Sequence, residues 1–195
     1  MEFSMTTDGF IPAHGGFQAL KSYQKAVIVY DATVRFCDRF IAKRGDRTRD
    51  QMIQAARSGK QNIVEGSQFS GTSKEIELKL TNVARASLAE LAEDYRDFLR
   101  LRGAEEWPAT HPYAQRLRAL NRQPGAGYET FRKGIEHEDP LIAANVILGL
   151  TRVTCFLLDR QLKHLEKAFI EEGGLRERMT RARLDRRAQQ RGHTP

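Results

Sequence analysis

Apolar residues recur three and four positions apart over four long stretches of the chain, with polar residues between them. This is the period of helices that bury one face. The first stripe is Leu20, Tyr23, Val27, Tyr30, Val34, Cys37, Phe40 and Ile41, which predicts a helix over 17–44 with Gly45 as its stop. The second runs over 48–65, with Asp46 as candidate N-cap and Asp50 in the first turn. Its core face is Met52, Ile53, Ala56, the Lys60 stem, Ile63 and Val64, and Gly66 is its expected end. Gly59 lies inside this helix and lowers its intrinsic stability by about 1 kcal/mol relative to Ala, so packing has to hold it.

A turn cluster over 66–71 leads to Thr72 or Ser73 as cap of a third helix reaching Arg102. Its stripe is Ile76, Leu80, Val83, Ala84, Ser87, Leu88, Leu91, Tyr95, Phe98 and Leu99. Pro and Gly then interrupt the pattern over 103–139, where only a short helix over 113–120 is expected within an irregular connection. Asp139 and Pro140 suit the start of a fourth long helix. That helix carries Ile142, Val146, Leu150, Val153, Leu157, Leu158, Leu162, Leu165 and Phe169 to the stop at Gly173 and Gly174. The segment 175–191 has helix-forming residues but only Leu175, Met179 and Leu184 as apolar anchors. No stretch alternates with the period of a strand. The pattern predicts an all-α antiparallel four-helix bundle over 17–172, with an insert at 103–139. An arm over 1–16 precedes it and a basic tail over 173–195 follows it.

Composition fits that reading, with 40% hydrophobic and 29% charged residues. Uninterrupted apolar runs are only a few residues long, which predicts no membrane span. The start of the sequence has no basic and apolar leader pattern, and a cytoplasmic location is the default expectation. Cys37 and Cys155 sit in apolar helical patterns far apart, as buried free thiols do, and neither has a C-x-x-C partner.

Charge sharpens the picture through its placement. The chain has 32 Lys+Arg and 25 Asp+Glu, a net charge of +7. Seven arginines against Glu177 and Asp185 put +5 of it in 173–195, which leaves +2 for everything before. Arg176, Arg178, Arg181, Arg183, Arg186, Arg187 and Arg191 stud this tail, and Lys43, Arg44, Arg47 and Arg49 cluster between the first two helices. A planar guanidinium donates two parallel hydrogen bonds to a phosphate, so both groups are candidate nucleic-acid contacts. A solvated, charge-rich helix end is the alternative for the tail. Phe69 and Trp107 are candidates for stacking on bases or for small satellite cores.

Three motifs occur in order at the centre of the chain: Ala55-Ala56-Arg57-Ser58, Asn62-Ile63-Val64-Glu65-Gly66, and Ala84-Arg85-Ala86-Ser87-Leu88-Ala89-Glu90-Leu91. Together with Leu20, Tyr23 and Ala26 they resemble a family of small four-helix-bundle proteins. That family includes proteins of ribosomal RNA intervening sequences and accessory proteins of diversity-generating retroelements. Gly173-Gly174-Leu175-Arg176-Glu177-Arg178-Met179 is similar to a C-terminal suffix found in one subgroup. The resemblance implies a bundle that assembles as a homo-oligomer, a five-membered ring, and that binds a reverse transcriptase and nucleic acid.

Ser58, Asn62 and Glu65 share one face of the second helix, and Ser87, Glu90 and Asp94 share one face of the third. Carboxylates on facing helices can do acid–base chemistry, but a polar network that fixes helix register accounts for the same pattern. In that network Arg57 is expected to pair with Glu90 or Asp94, and Asn62 to cap or bridge the turn at Gly66. A di-metal bundle site needs Glu-x-x-His, which the chain lacks, and no phosphate loop, dinucleotide fingerprint or nucleophile elbow is present. No metal, cofactor or enzymatic activity is therefore expected. The leading expectation is a non-catalytic accessory protein that contacts RNA or single-stranded DNA through Arg and Lys. The alternative is a scaffold for a protein partner, for example a reverse transcriptase, without direct nucleic-acid binding.

Overall fold

A computed structural model describes residues 15–41 and 47–191. Seven α-helices occur among them: α1 (Lys21–Phe40), α2 (Arg47–Phe69), α3 (Lys74–Arg100), α4 (Pro112–Asn121), α5 (Tyr128–Ile135), α6 (Pro140–Glu172) and α7 (Leu175–Arg191). A single 3-10 turn, Phe17–Ala19, precedes α1. The protein is all-α, an antiparallel four-helix bundle of α1, α2, α3 and α6. Here α1 lies between α2 and α6, and α3 closes the ring on its other side. Side-chain links fix the antiparallel sense of α6: Ser22 Oγ donates to Gln161 Oε1 (2.7 Å) and Arg85 pairs with Asp159 (3.5 Å). The insert contributes α4 and α5, both against α6, and α7 forms the arginine-rich extension.

Helix ends follow local chemistry. Ser73 Oγ accepts the Ile76 N–H (3.2 Å) at the start of α3, and Asp139 Oδ1 accepts the Leu141 N–H (2.8 Å) at the start of α6. Gly103 and Gly173 have positive φ of 69° and 71°, which glycine adopts past a helix end at no steric cost. The aromatic centre of the core is Phe36, edge-on to Tyr95 (5.2 Å between centroids) and Phe98 (4.8 Å). The buried Tyr95 hydroxyl donates to Thr33 Oγ1 (3.1 Å), and Thr33 donates to the Val29 carbonyl (2.8 Å). No polar atom of that pair is left unsatisfied in the core.

The structure departs from the sequence pattern in four places. Gly66 does not end α2; the helix runs on to Phe69. Its backbone is not left-handed, and a Cβ there would lie 3.4 Å from the Glu77 carbonyl and Leu80 Cβ, a contact at van der Waals distance that does not demand glycine. The core face of α1 is Ala26, Val29, Ala32, Thr33 and Phe36, with Ser22 and Lys25 also buried, whereas Tyr23, Val27, Tyr30 and Val34 are only half-buried. Polar residues inside the true face displaced the apparent stripe. On α3 the same substitution puts Glu77 and Thr81 inside and leaves Ile76 and Val83 exposed. The insert is more ordered than its Pro and Gly content predicts, because α5 buries Phe131 and Ile135. The region Pro140–Gln190 contains one stretch that is long and apolar enough to cross a membrane by length and composition alone, although its uninterrupted apolar runs are short. Its most apolar stretch is 56% buried, as the core helix of a bundle is. The expected stop at Gly45, the cap at Asp46 and residues 1–14 of the arm over 1–16 lie outside the described residues.

Candidate nucleic-acid interface

The signature residues meet at the seam between α2 and α3. Ser58 Oγ lies 3.0 Å from Ser87 Oγ, and Asn62 Nδ2 donates to the Ser58 carbonyl (2.9 Å) and to Ser58 Oγ (3.1 Å). This polar stitch joins two helices that approach closely at Gly59, where an added Cβ would lie 2.6 Å from Leu88 Cγ. Asn62 thus turns back toward Ser58 and does not cap the chain at Gly66. Arg57 is exposed and forms no ion pair with Glu90 or Asp94, and Glu65 is exposed, pointing off the seam. Ser87, Glu90 and Asp94 do share a face, and with Ser58, Arg47 and Asp50 they line a surface groove of about 840 Å³. Burial, then the neighbouring Asp97 and Glu90, raises the Asp94 carboxyl above its usual range. The groove is therefore mainly acidic, which disfavours a phosphate there.

The basic cluster at the turn from α1 to α2 is split. Lys43 and Arg44 lie outside the described residues. Arg49 is hydrogen-bonded to Asp38 and sits 3.6 Å from Asp50, so its charge is matched locally. Arg47 faces the acidic groove.

The tail differs. Helix α7 is built from Arg, Ala, Gln, Leu and Glu, which favour helix. Its start is held by Glu177 Oε2, which accepts the Gly174 N–H (2.9 Å) in the manner of a capping box. Arg178 donates to the Gly71 carbonyl (3.1 Å) and ties the root of α7 to the turn between α2 and α3. Beyond it the helix is exposed on all sides through Gln190. At about 100° per residue, Arg176, Arg183 and Arg187 fall within roughly 40° of one line, on the face opposite Arg178. Arg186 flanks that line and Arg181 lies off it. Arg176, Arg181, Arg183, Arg186 and Arg187 form no ion pair among the described residues, and the Arg191 side chain is outside them.

Sequence reasoning missed the residues that fasten the insert. Glu106 accepts a hydrogen bond from Arg96 Nε of α3 (3.0 Å) and another from Arg152 of α6. Burial raises its pKa, but the two arginine hydrogen bonds outweigh burial and hold the carboxyl below its usual range. Buried Asn145 accepts the Trp107 N–H (2.8 Å) and donates to the Glu105 carbonyl (3.3 Å). Lys25 of α1 reaches the Ala126 carbonyl (3.2 Å) with its ammonium 4.6 Å from the Phe131 ring centroid, and burial lowers its pKa. None of these pairings has a spacing signal in the sequence. Trp107 stacks face to face on His111 (4.7 Å, 5°), a satellite cluster that covers one face of the indole, whereas Phe69 is exposed. Cys37 is buried and Cys155 half-buried, and no disulfide joins them. No group of three His, Cys, Asp or Glu side chains placed to hold a metal ion occurs among the described residues.

No family model, no curated protein and no solved structure matches this chain.

Proposed function

We propose that the protein is a non-catalytic accessory factor that binds single-stranded nucleic acid, RNA in the first instance, through the arginine face of α7. One observation carries this reading: a stripe of Arg176, Arg183 and Arg187, flanked by Arg186, on an exposed helix with no acidic partner. A helix packed for stability alone would show an apolar face, and α7 has none. Arginine contacts of this kind give affinity without base selectivity. Assembly of several copies would repeat the stripe and raise avidity, as the resemblance to ring-forming bundle proteins implies. The test is anisotropy of a labelled single-stranded RNA titrated with the full chain and with a chain ending at residue 174. Loss of binding in the shorter chain, with an unchanged thermal melt, supports the reading. Equal affinity of the two chains overturns it. Light scattering of the full chain tests self-assembly separately, and a monomer at all concentrations removes the ring.

A second reading, a scaffold for a protein such as a reverse transcriptase, is favoured by the acidic groove at the seam of α2 and α3. Glu90 and Asp94 face it without an ion pair. A basic protein surface would neutralise them. Capture of a stoichiometric protein partner after nuclease treatment, lost on Glu90→Gln with Asp94→Asn, supports this reading over the first.

A further inference from the structure

The insert is pinned to the bundle at Glu106 and Asn145, yet the space beneath α4 and α5 is not filled. A cleft of about 390 Å³ opens there against α6. Its walls and floor include Trp107, Tyr113, Leu117, Leu120, Phe131 and Val146. Close helix packing makes the floor rigid. Gly134 lets α5 approach α6 until an added Cβ would lie 2.9 Å from Val146, and Leu117 seats in a notch at Gly149, where an added Cβ would lie 2.5 Å away. The cleft therefore reflects the shape of well-packed helices and is not a loosely packed gap.

The unpaired charges on the rim are of one sign. Arg116 of α4 and Lys133 of α5 line the cleft from two elements, are exposed, and form no ion pair among the described residues. Glu129, the one acid on the rim, is paired with Arg132 (3.2 Å). The Thr130 hydroxyl has no hydrogen-bond partner among the described residues. His137 Nδ1 accepts the Asp139 N–H (3.0 Å), which leaves its other nitrogen as an N–H donor. Donors and positive charge thus surround an aromatic and aliphatic floor, with no free carboxylate to oppose an anion.

We propose that this cleft binds a small amphipathic carboxylate, with its hydrocarbon or aromatic body on the floor and its carboxylate between Arg116 and Lys133. The volume lies at the low end of the range of about 300–1,000 Å³ typical of small-molecule sites, which suits a compact ligand and not a folded partner. An apolar floor alone would accept a neutral ligand equally well; the two unpaired cations set the choice of an acid.

Trp107 is the chain's one tryptophan and lines the cleft, so its fluorescence reports occupancy directly. The full chain is titrated with octanoate and, as the uncharged analogue, with octanamide. The expected result is a saturable change with octanoate at a concentration about tenfold or more below that for octanamide, the discrimination two charge-assisted hydrogen bonds give. Arg116→Gln with Lys133→Gln brings octanoate down to the level of octanamide, with no change in the thermal melt because neither residue has a partner. Should the double variant lose its fold, Lys133→Gln alone is read the same way, with a smaller loss of discrimination. No saturable signal, equal affinity for acid and amide, or discrimination unaffected by the substitutions overturns the proposal.

Discussion

Two glycines seven residues apart in α2 predict opposite responses to the same substitution. At Gly59 an added methyl group would lie 2.6 Å from Leu88 Cγ and 2.7 Å from Leu88 Cδ2. Leu88 is fully buried and the contact includes its branch point, so moving the far end of the side chain alone does not relieve it. Helix propensity favours Ala over Gly by about 1 kcal/mol. Overpacking of a dense core costs about 1–3 kcal/mol. The clash should win, for a net loss of about 1 kcal/mol and a fall in Tm of about 2–4 °C for a chain of this size. At Gly66 the nearest atoms are 3.4 Å away, a contact that a few tenths of an ångström relieve. There propensity should win, and Gly66→Ala should be neutral or stabilising by up to about 1 kcal/mol. Urea unfolding followed by far-UV circular dichroism measures both variants, and Gly59→Ala in a Leu88→Ala background should recover part of its loss. A Gly59→Ala variant more stable than the parent would refute the close approach of α2 and α3, and with it the seam that joins Ser58 to Ser87.

Other expectations concern the insert and the acidic groove. Asn145→Ala removes the partner of the Trp107 N–H and should cost about 1–3 kcal/mol, with a red shift of Trp107 emission as the loop loosens. The Glu106 carboxyl is held low in the folded protein, so its stabilising contribution is complete above the ordinary carboxylate range and disappears as pH falls through its depressed value. Thermal melts of Glu106→Gln should accordingly show a weaker loss of Tm on acidification than the parent. Asp94 has the opposite sign: its carboxyl is raised, so ionisation costs stability at neutral pH. Asp94→Asn should raise Tm at neutral pH and lose that advantage once the pH is low enough to protonate the parent. An Asp94→Asn melt that does not change at either pH would contradict the crowding of Glu90, Asp94 and Asp97.

The bundle was legible because its helices carry strong signals at their ends. Ser73 and Asp139 cap where their residue types and spacing predict, and α6 runs from Asp139 to Gly173 as read, although Phe169 of its predicted stripe is exposed and Ala143, Ile147 and Leu148 outside that stripe are buried. The errors have a common physical origin. Thr33 and Glu77 are buried polar residues satisfied by partners the chain brings from elsewhere or from the preceding turn, so a search for apolar periodicity passes over them. Gly66 read as a stop because a glycine ends a helix only where it adopts positive φ, and Gly66 does not. Helix α5 is eight residues long with Gly134 inside it, too short and too glycine-interrupted for a periodic signal, and its anchors Phe131 and Ile135 gain meaning only against α6. At the site, the arginines of α7 were visible as composition. That Arg176, Arg183 and Arg187 align while Arg178 faces the body required the helix and the Gly71 contact. The Glu106 pairs with Arg96 and Arg152 join residues 10 and 46 positions apart and had no sequence signature.

The central claim is that α7 presents a phosphate-binding arginine stripe, and its most direct test is the salt dependence of RNA affinity. Each phosphate neutralised contributes a slope of about −0.7 in log K against log salt concentration for a single strand. Arg176→Gln, Arg183→Gln and Arg187→Gln together should flatten the slope of the parent by about 2 units and weaken binding at low salt, whatever the RNA sequence. A parent that binds with no salt dependence, or a triple variant with the parent's slope and affinity, would contradict the account.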